Sequence, residues 1–231
     1  MRKIAITVAV VMAVSVLTCG CSAKKSNKRK DVPDKPTEWA VEQRSVEDIT
    51  PLEGETQVFV KRDEEDEDIL RLVQGLLADR TINNEYDALD LISEYSKELG
   101  IVDAQSELKY SGNMTYSDKM CYRFDQYCDD IKVENSHVEL TVDMLTGNKP
   151  EILNSTYTDI WGLETKPRVS ESEAVQCAKA KYKTSKDTKP ELTITSGAKL
   201  AWKVAVNDEK IAEVYINAEN GDMISEAKAD K

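Results

Sequence analysis

Between residues 119 and 157 the hydrophobic period changes to two, clearest at Met120, Tyr122 and Phe124 and at Val138, Leu140 and Val142, and three runs (119–127, 131–143 and 150–157) are separated by Cys128-Asp129-Asp130 and Thr146-Gly147-Asn148. Alternation sustained over this length marks strands with one buried face, and short turn-forming breaks join such strands as antiparallel neighbours. The same period returns at 191–196, 199–206 and 211–217, and Asn220-Gly221 is a hairpin signal ahead of Met223-Ile224. The chain is therefore expected to build antiparallel sheet, with a short further strand at Val58-Phe59-Val60.

Helical spacing is confined to three stretches. Residues 63–68 are an acidic run leading into Ile69, Leu70, Val73, Leu76 and Leu77. This reads as a helix whose acids sit at the N-terminal end, where the dipole favours them. The run lacks the alternating ligands and the glycine of a calcium-binding loop, so no metal is expected there. Asn84 caps a second helix, with Asp87 three residues on, an apolar stripe of Leu89, Ile92, Tyr95 and Leu99, and Gly100 as its terminator. Ser170-Glu171-Ser172-Glu173 is a capping box that opens a third, carrying Ala174, Val175, Ala178 and Tyr182.

The two halves share an order of helix, antiparallel meander and final hairpin. They also share letters, because residues 139–148 align without a gap on residues 213–222, matching Glu139 with Glu213, Asp143 with Asn217 and Gly147 with Gly221. The fold class expected is α+β: two tandem small domains, each a helix packed on an antiparallel sheet in the cystatin-like manner.

The N-terminus reads differently. Arg2 and Lys3 precede an uncharged run over residues 4–17, too short for the roughly twenty apolar residues of a membrane span and suited to a signal peptide. Small residues follow, in Thr18-Cys19-Gly20-Cys21-Ser22-Ala23. They resemble a bacterial lipobox, which makes residues 1–20 a lipoprotein signal peptide and Cys21 the acylated N-terminus, in preference to Cys19. The localisation expected is the extracytoplasmic face of a cell membrane, held by lipid. Residues 21–55 read as a disordered tether broken by Pro33, Pro36 and Pro51.

Charge is unevenly spread. Residues 1–36 hold eight Lys or Arg against two Asp, so their +6 leaves −18 on the remainder of a chain whose net charge is −12. The basic part, Lys24-Lys25-Ser26-Asn27-Lys28-Arg29-Lys30, follows the lipidation site and suits either anionic head groups or a solubilising role. The acidic remainder argues against nucleic acid as a partner.

Cys121 and Cys128 lie seven apart on one strand, roughly 23 Å at about 3.3 Å per residue, and a disulfide needs Cα atoms within about 7 Å, so they are not expected to bridge each other. With Cys177 they read as small apolar residues. The single histidine, His137, sits in a strand and is expected to face solvent. No HExxH, GxSxG or phosphate-cradling glycine loop is present, and no carboxylate pair stands out. The expectation is a non-enzyme, with no catalytic residue, no cofactor and no metal.

At Tyr122-Arg123-Phe124-Asp125-Gln126-Tyr127-Cys128-Asp129-Asp130-Ile131-Lys132-Val133-Glu134-Asn135, running on to Val142-Asp143 and Thr146-Gly147, the chain resembles the propeptide (FTP) motif of thermolysin-type and fungalysin-type metalloproteases. Cys128 stands where an aromatic is usual in that motif, and Asp130 where glycine is usual. Residues 170–221 are similar to the PepSY domain that follows in the same propeptides. The matching pieces are the capping box with Glu173-Ala174, the Leu200-Ala201-Trp202-Lys203-Val204 strand, and Val214-Tyr215-Ile216-Asn217-Ala218-Glu219-Asn220-Gly221. The resemblance implies an FTP-like domain over 56–165 and a PepSY-like domain over 166–231, with no protease attached. It implies a membrane-anchored binding module that inhibits, or assists the folding of, a secreted metalloprotease in trans. An envelope accessory or sensor that binds a peptide or wall component is the alternative. Arg123 and Gln126, three apart on one strand, are expected on opposite faces, one holding the fold and the other meeting solvent or a partner. Trp202 and Tyr215 read as core or sheet-face aromatics, and Gly147 and Gly221 as turn formers at positive φ.

Overall fold

A computed structural model describes residues 39–185 and 187–229. Cys21, Cys19, the residues 1–20 expected as a signal peptide and the basic run at 24–30 lie outside the described residues. The architecture is α+β. Among the described residues ten strands run β1 (Phe59–Arg62), β2 (Leu70–Gln74), β3 (Leu108–Tyr116), β4 (Lys119–Cys128), β5 (Ile131–Asp143), β6 (Lys149–Ser155), β7 (Glu191–Ile194), β8 (Leu200–Ala205), β9 (Ile211–Asn217) and β10 (Met223–Lys228). The helices are α1 (Glu85–Glu94), α2 (Ser96–Leu99), α3 (Ala104–Glu107) and α4 (Glu171–Lys179). The order across the sheet is β1-β2-β6-β5-β7-β8-β9-β10, with β4 also paired to β5 and β3 to β4.

The repeat seen in the letters is one of topology. α1 is followed by the meander β3 to β6 and α4 by the meander β7 to β10, each strand pairing antiparallel with the next except where β6 ends the first set. The aligned turns are built alike. The Asp143 carboxylate accepts the Leu145 N–H at 2.7 Å, the Asn217 amide oxygen accepts the Glu219 N–H at 2.7 Å, and Gly147 and Gly221 both stand at φ 81°.

Both helix starts form as their caps require. Asn84 Oδ1 accepts from the N–H groups of Tyr86 and Asp87, and Ser170 and Glu173 close a reciprocal capping box. Tyr95 breaks the first helix into α1 and α2, and Gly100 at φ 72° ends it. The Tyr95 ring is fully buried, its hydroxyl donates to the Leu77 carbonyl at 2.8 Å, and burial pushes its pKa up to about 12.

β5 joins two hydrophobic cores. Val138, Leu140 and Val142 enter a first core with Leu70, Leu91, Tyr122 and Phe124, while Val133 enters a second with Ile194, Trp202, Val204, Val214 and Ile216. Asn135 at φ 59° marks the change of allegiance. On one side of it β5 pairs with β4 and β6; on the other, Val133 pairs in parallel with Ile194 of β7.

Three expectations need correction. The helix expected over 69–77 is strand β2. Its i, i+3 burial of Leu70 and Val73 arises from a bulge, because Arg62 pairs with Leu70 but Lys61 with Leu72, and the extra residue flips the strand's phase. The acids before it form turns: Asp63 Oδ1 accepts from the N–H groups of Glu65 and Asp66, and Asp66 Oδ1 from that of Asp68. The tether expected over 21–55 packs from Trp39 onward. The indole N–H donates to the Ile101 carbonyl, Arg44 pairs with Glu94 at 2.5 Å, Thr50 bridges Leu76, and Ile49 is buried. Finally, His137 is not solvent-facing, since its side chain is 16% exposed.

Candidate binding surface

The conspicuous motif of the sequence, Arg123-Phe124-Asp125-Gln126, is placed by β4, whose alternation sends successive side chains to opposite faces. Phe124 enters the first core, its ring centroid 5.6 Å from that of Tyr110. Gln126 is fully buried at the β5 switch. Its Oε1 accepts from the Ser136 hydroxyl and, at 3.0 Å, from the Thr158 N–H, while its Nε2 donates to the Thr158 carbonyl at 2.9 Å. The carboxamide thus does for Thr158 what a neighbouring strand would do. It holds the fold.

Arg123 lies on the opposite face, as expected, within a strip of charges. Lys119, Arg123 and Asp125 stand opposite Asp143, Glu139 and His137 of β5. Arg123 reaches Asp125 at 3.1 Å and Glu139 at 3.3 Å, and Lys132 reaches Asp125 at 2.5 Å. Lys119 is shared between Asp143 and Glu151. Burial alone would raise the Asp125 pKa, but the hydrogen bonds and charges of Lys132 and Arg123 win and hold it below the usual carboxylate range. His137 has its pKa lowered, first by burial and then by the Arg123 cation. Further along, Lys203 lies between Glu134 and Glu191; burial opposes its charge, and the two carboxylates outweigh that and keep its pKa high. Four cations (Lys119, Arg123, Lys132 and Lys203) face six carboxylates (Asp125, Glu134, Glu139, Asp143, Glu151 and Glu191) along this face, and each cation is engaged by at least one of them.

Among the described residues three strands pair on one side only, β1, β3 and β10, and β3 is the longest of them. β3 pairs with β4 alone, and among the described residues no backbone hydrogen bond joins it to any other strand. Eight of its nine residues lack full burial, including Tyr110, Met114 (67% exposed) and Tyr116. The sequence reading places no element here, because an open edge strand shows no buried alternation. A bulge between Tyr110 and Gly112 is its one irregularity.

Where β3 begins, a cleft of about 390 Å³ opens between the ends of β3 and β4 and the segment after β6, lined in part by Glu107, Tyr127, Cys128, Asp129, Asp130 and Trp161. Asp129 and Asp130 form the β4–β5 turn at φ 47° and 66°, left-handed values that side-chain-bearing residues rarely adopt. Asp129 accepts from the Thr165 hydroxyl at 2.6 Å, and Asp130 pairs at 2.5 Å with Lys109, whose ammonium sits 4.4 Å above the Tyr127 ring. Glu107 accepts from the Tyr157 hydroxyl, whose pKa is raised by burial and then by that carboxylate. Burial pushes the Cys128 thiol up, and Cys121 likewise, so neither is an activated nucleophile. Cys121, Cys128 and Cys177 are all free thiols.

Trp202 is a core aromatic, its indole N–H donating to the Val169 carbonyl at 2.7 Å, and Tyr215 is half-buried opposite Lys203 on the sheet. Among the described residues no three His, Cys, Asp or Glu side chains converge to hold a metal, and no helix is long and apolar enough to cross a membrane.

Residues 168–226 match the family model described as peptidase propeptide and YPEB domain, PepSY. No curated protein matches the chain significantly. Among solved structures the chain is similar to the Bacillus megaterium YpeB C-terminal domain, at 12% identity with 78% of this chain and 92% of that chain covered, and a TM-score of 0.33. The later part of the chain is thus a PepSY-like domain of the propeptide type, with α4 and the meander β7 to β10 as its frame.

Proposed function

We propose that this chain is a non-catalytic binding module of the extracytoplasmic space, which inhibits a secreted metalloprotease, or assists its folding, in trans. The PepSY match over 168–226 carries the reading, since modules of this type act on peptidases as propeptides. In this reading residues 56–165 are an FTP-like domain and 166–231 the PepSY-like one, and a lipid on Cys21 holds both at the membrane surface. The open edge of β3 supports a binding role, because strand addition to such an edge gives affinity through main-chain hydrogen bonds.

The test is capture and inhibition. The full chain, immobilised and exposed to secreted proteins of its own cells, retains a thermolysin-like protease, and in solution it slows that protease's cleavage of casein. Recovery of a wall fragment or a non-protease envelope protein in its place replaces the reading with that of an accessory or sensor protein.

A further inference from the structure

We infer that the cavity between residues 41–48 and helix α1 binds a small zwitterion of the amino-acid or short-peptide class, with its carboxylate on Arg44 and Arg80 and its ammonium on Asp48 and Asp90. This goes beyond the protease reading and does not depend on it.

The cavity measures about 600 Å³, within the range of about 300–1,000 Å³ typical of small-molecule sites. Hydrogen bonds fix its walls. The Arg44 N–H donates to the Glu94 carbonyl at 2.7 Å, and the Gln43 amide donates to the Val41 and Ser93 carbonyls, both at 3.1 Å. The other end of that amide accepts from the Lys97 N–H at 2.9 Å.

On one side Glu94 bridges two guanidinium groups. Its Oε2 accepts from Arg44 Nε at 2.5 Å and its Oε1 from Arg80 Nη1 at 2.6 Å. One carboxylate is thus spent on two cations, and the three groups keep a surplus of one positive charge. Donors are left over as well. Arg80 Nη2 is shut off from solvent without a hydrogen-bond partner, and among the described residues nothing bonds to the terminal nitrogens of Arg44. A buried donor without a partner is a rare and costly state, which an incoming oxygen relieves. The Arg80 side chain as a whole is 37% exposed, so its guanidinium can turn that edge toward the cavity. Planar forks of this kind grip carboxylates through two N–H groups at a time.

The remaining charges of the lining have the opposite sign. Glu42, Asp48 and Asp90 make no ion pair among the described residues. Asp48 accepts from the Ser45 N–H, and Asp90, one turn before Glu94 on α1, accepts from the Gln105 amide at 3.3 Å. Charge therefore selects among occupants. A simple anion is opposed by three carboxylates, and a simple amine leaves the arginine donors unpaired. A molecule carrying both charges answers both sides.

The experiment is isothermal titration calorimetry of the full chain in detergent with glycine, dialanine and trialanine. At least one is expected to bind with a Kd of about 1 mM or tighter. N-acetylation or C-amidation of that ligand is each expected to weaken it by at least about tenfold. Arg44→Gln should bring the amidated form within about threefold of the unblocked ligand while the acetylated form stays weak, and Asp90→Asn should do the reverse. A general loss of fold cannot produce this crossed pattern, because it weakens every ligand alike. Absence of binding by all three up to about 10 mM overturns the inference. So does a blocked form that binds the unaltered protein as tightly as the unblocked one, or inorganic phosphate that binds more tightly than either.

Discussion

Gln126 satisfies both halves of its carboxamide on Thr158 while Ser136 bonds to the same oxygen, so each of the three depends on the others. Replacing it with an apolar side chain of similar size takes the partner from the Thr158 carbonyl and leaves the Thr158 N–H with only the Ser136 oxygen, and the Ser136 hydroxyl with only the Thr156 carbonyl. Gln126→Leu is therefore expected to destabilise the protein by about 1–3 kcal/mol in urea unfolding. Arg123→Gln, three residues away on the half-exposed charge strip, should cost about 1 kcal/mol or less. The motif letters were legible in the sequence, yet their division of labour was not, because strand alternation says that two residues face apart without saying which face is covered. His137 is misread for the same reason. It is the single histidine of the chain, so its titration can be followed by proton NMR without overlap. Its folded pKa is depressed below 6.5 by burial and by Arg123. Between the folded and unfolded values the unfolded chain binds more protons, so the stability this group contributes is complete above pH 6.5 and is lost as pH falls toward the folded value. His137→Gln should remove that slope in unfolding measured from pH 7 downward; an unchanged slope would rule out this origin.

Among the elements, those whose ends are written in side chains were the most legible. Asn84 and the Ser170–Glu173 box place α1 and α4, and replacing either cap residue with Ala should cost about 1 kcal/mol, read as a lowered urea midpoint. The strands 131–143 and 211–217 were legible to the residue because both bury one face in a core. β2 was misread because a bulge at Arg71 gives a strand the burial spacing of a helix, and Arg71 uses the bulge to reach Asp63 and the Tyr157 carbonyl. Gly75, at the end of β2, records a second fact that spacing conceals. A Cβ there would lie 2.6 Å from Ile49 and 2.8 Å from the Thr50 carbonyl, so the segment read as tether runs directly over it. Gly75→Ala should destabilise by about 1–3 kcal/mol, as overpacking does, although alanine suits a strand no worse than glycine. A variant as stable as the parent would show that 49–50 does not rest on the sheet.

At the scale of the molecule, sequence reasoning separated two halves but had no means of seeing that one strand serves both. Residues 128, 131 and 133, all from the first half, pack with the second core, and Thr193 of β7 donates to the Lys132 carbonyl. Unfolding either core therefore strips one end of β5. With Trp39 and Trp161 replaced by Phe, Trp202 fluorescence reports the second core alone, and its denaturation curve should coincide with that from far-ultraviolet circular dichroism. Two separated transitions would mean that β5 does not couple the cores. The open edge of β3 has a colloidal consequence. An edge left unguarded for a partner is equally unguarded against other copies in concentrated solution, and the bulge at Gly112 interrupts its register without closing it. What keeps neighbouring molecules apart is the long-range repulsion of their like charge. Salt shortens that repulsion to about 8 Å at physiological ionic strength. Purified protein should thus cloud as salt is added, and the absence of that turbidity in Met114→Lys would trace the self-association to this one strand.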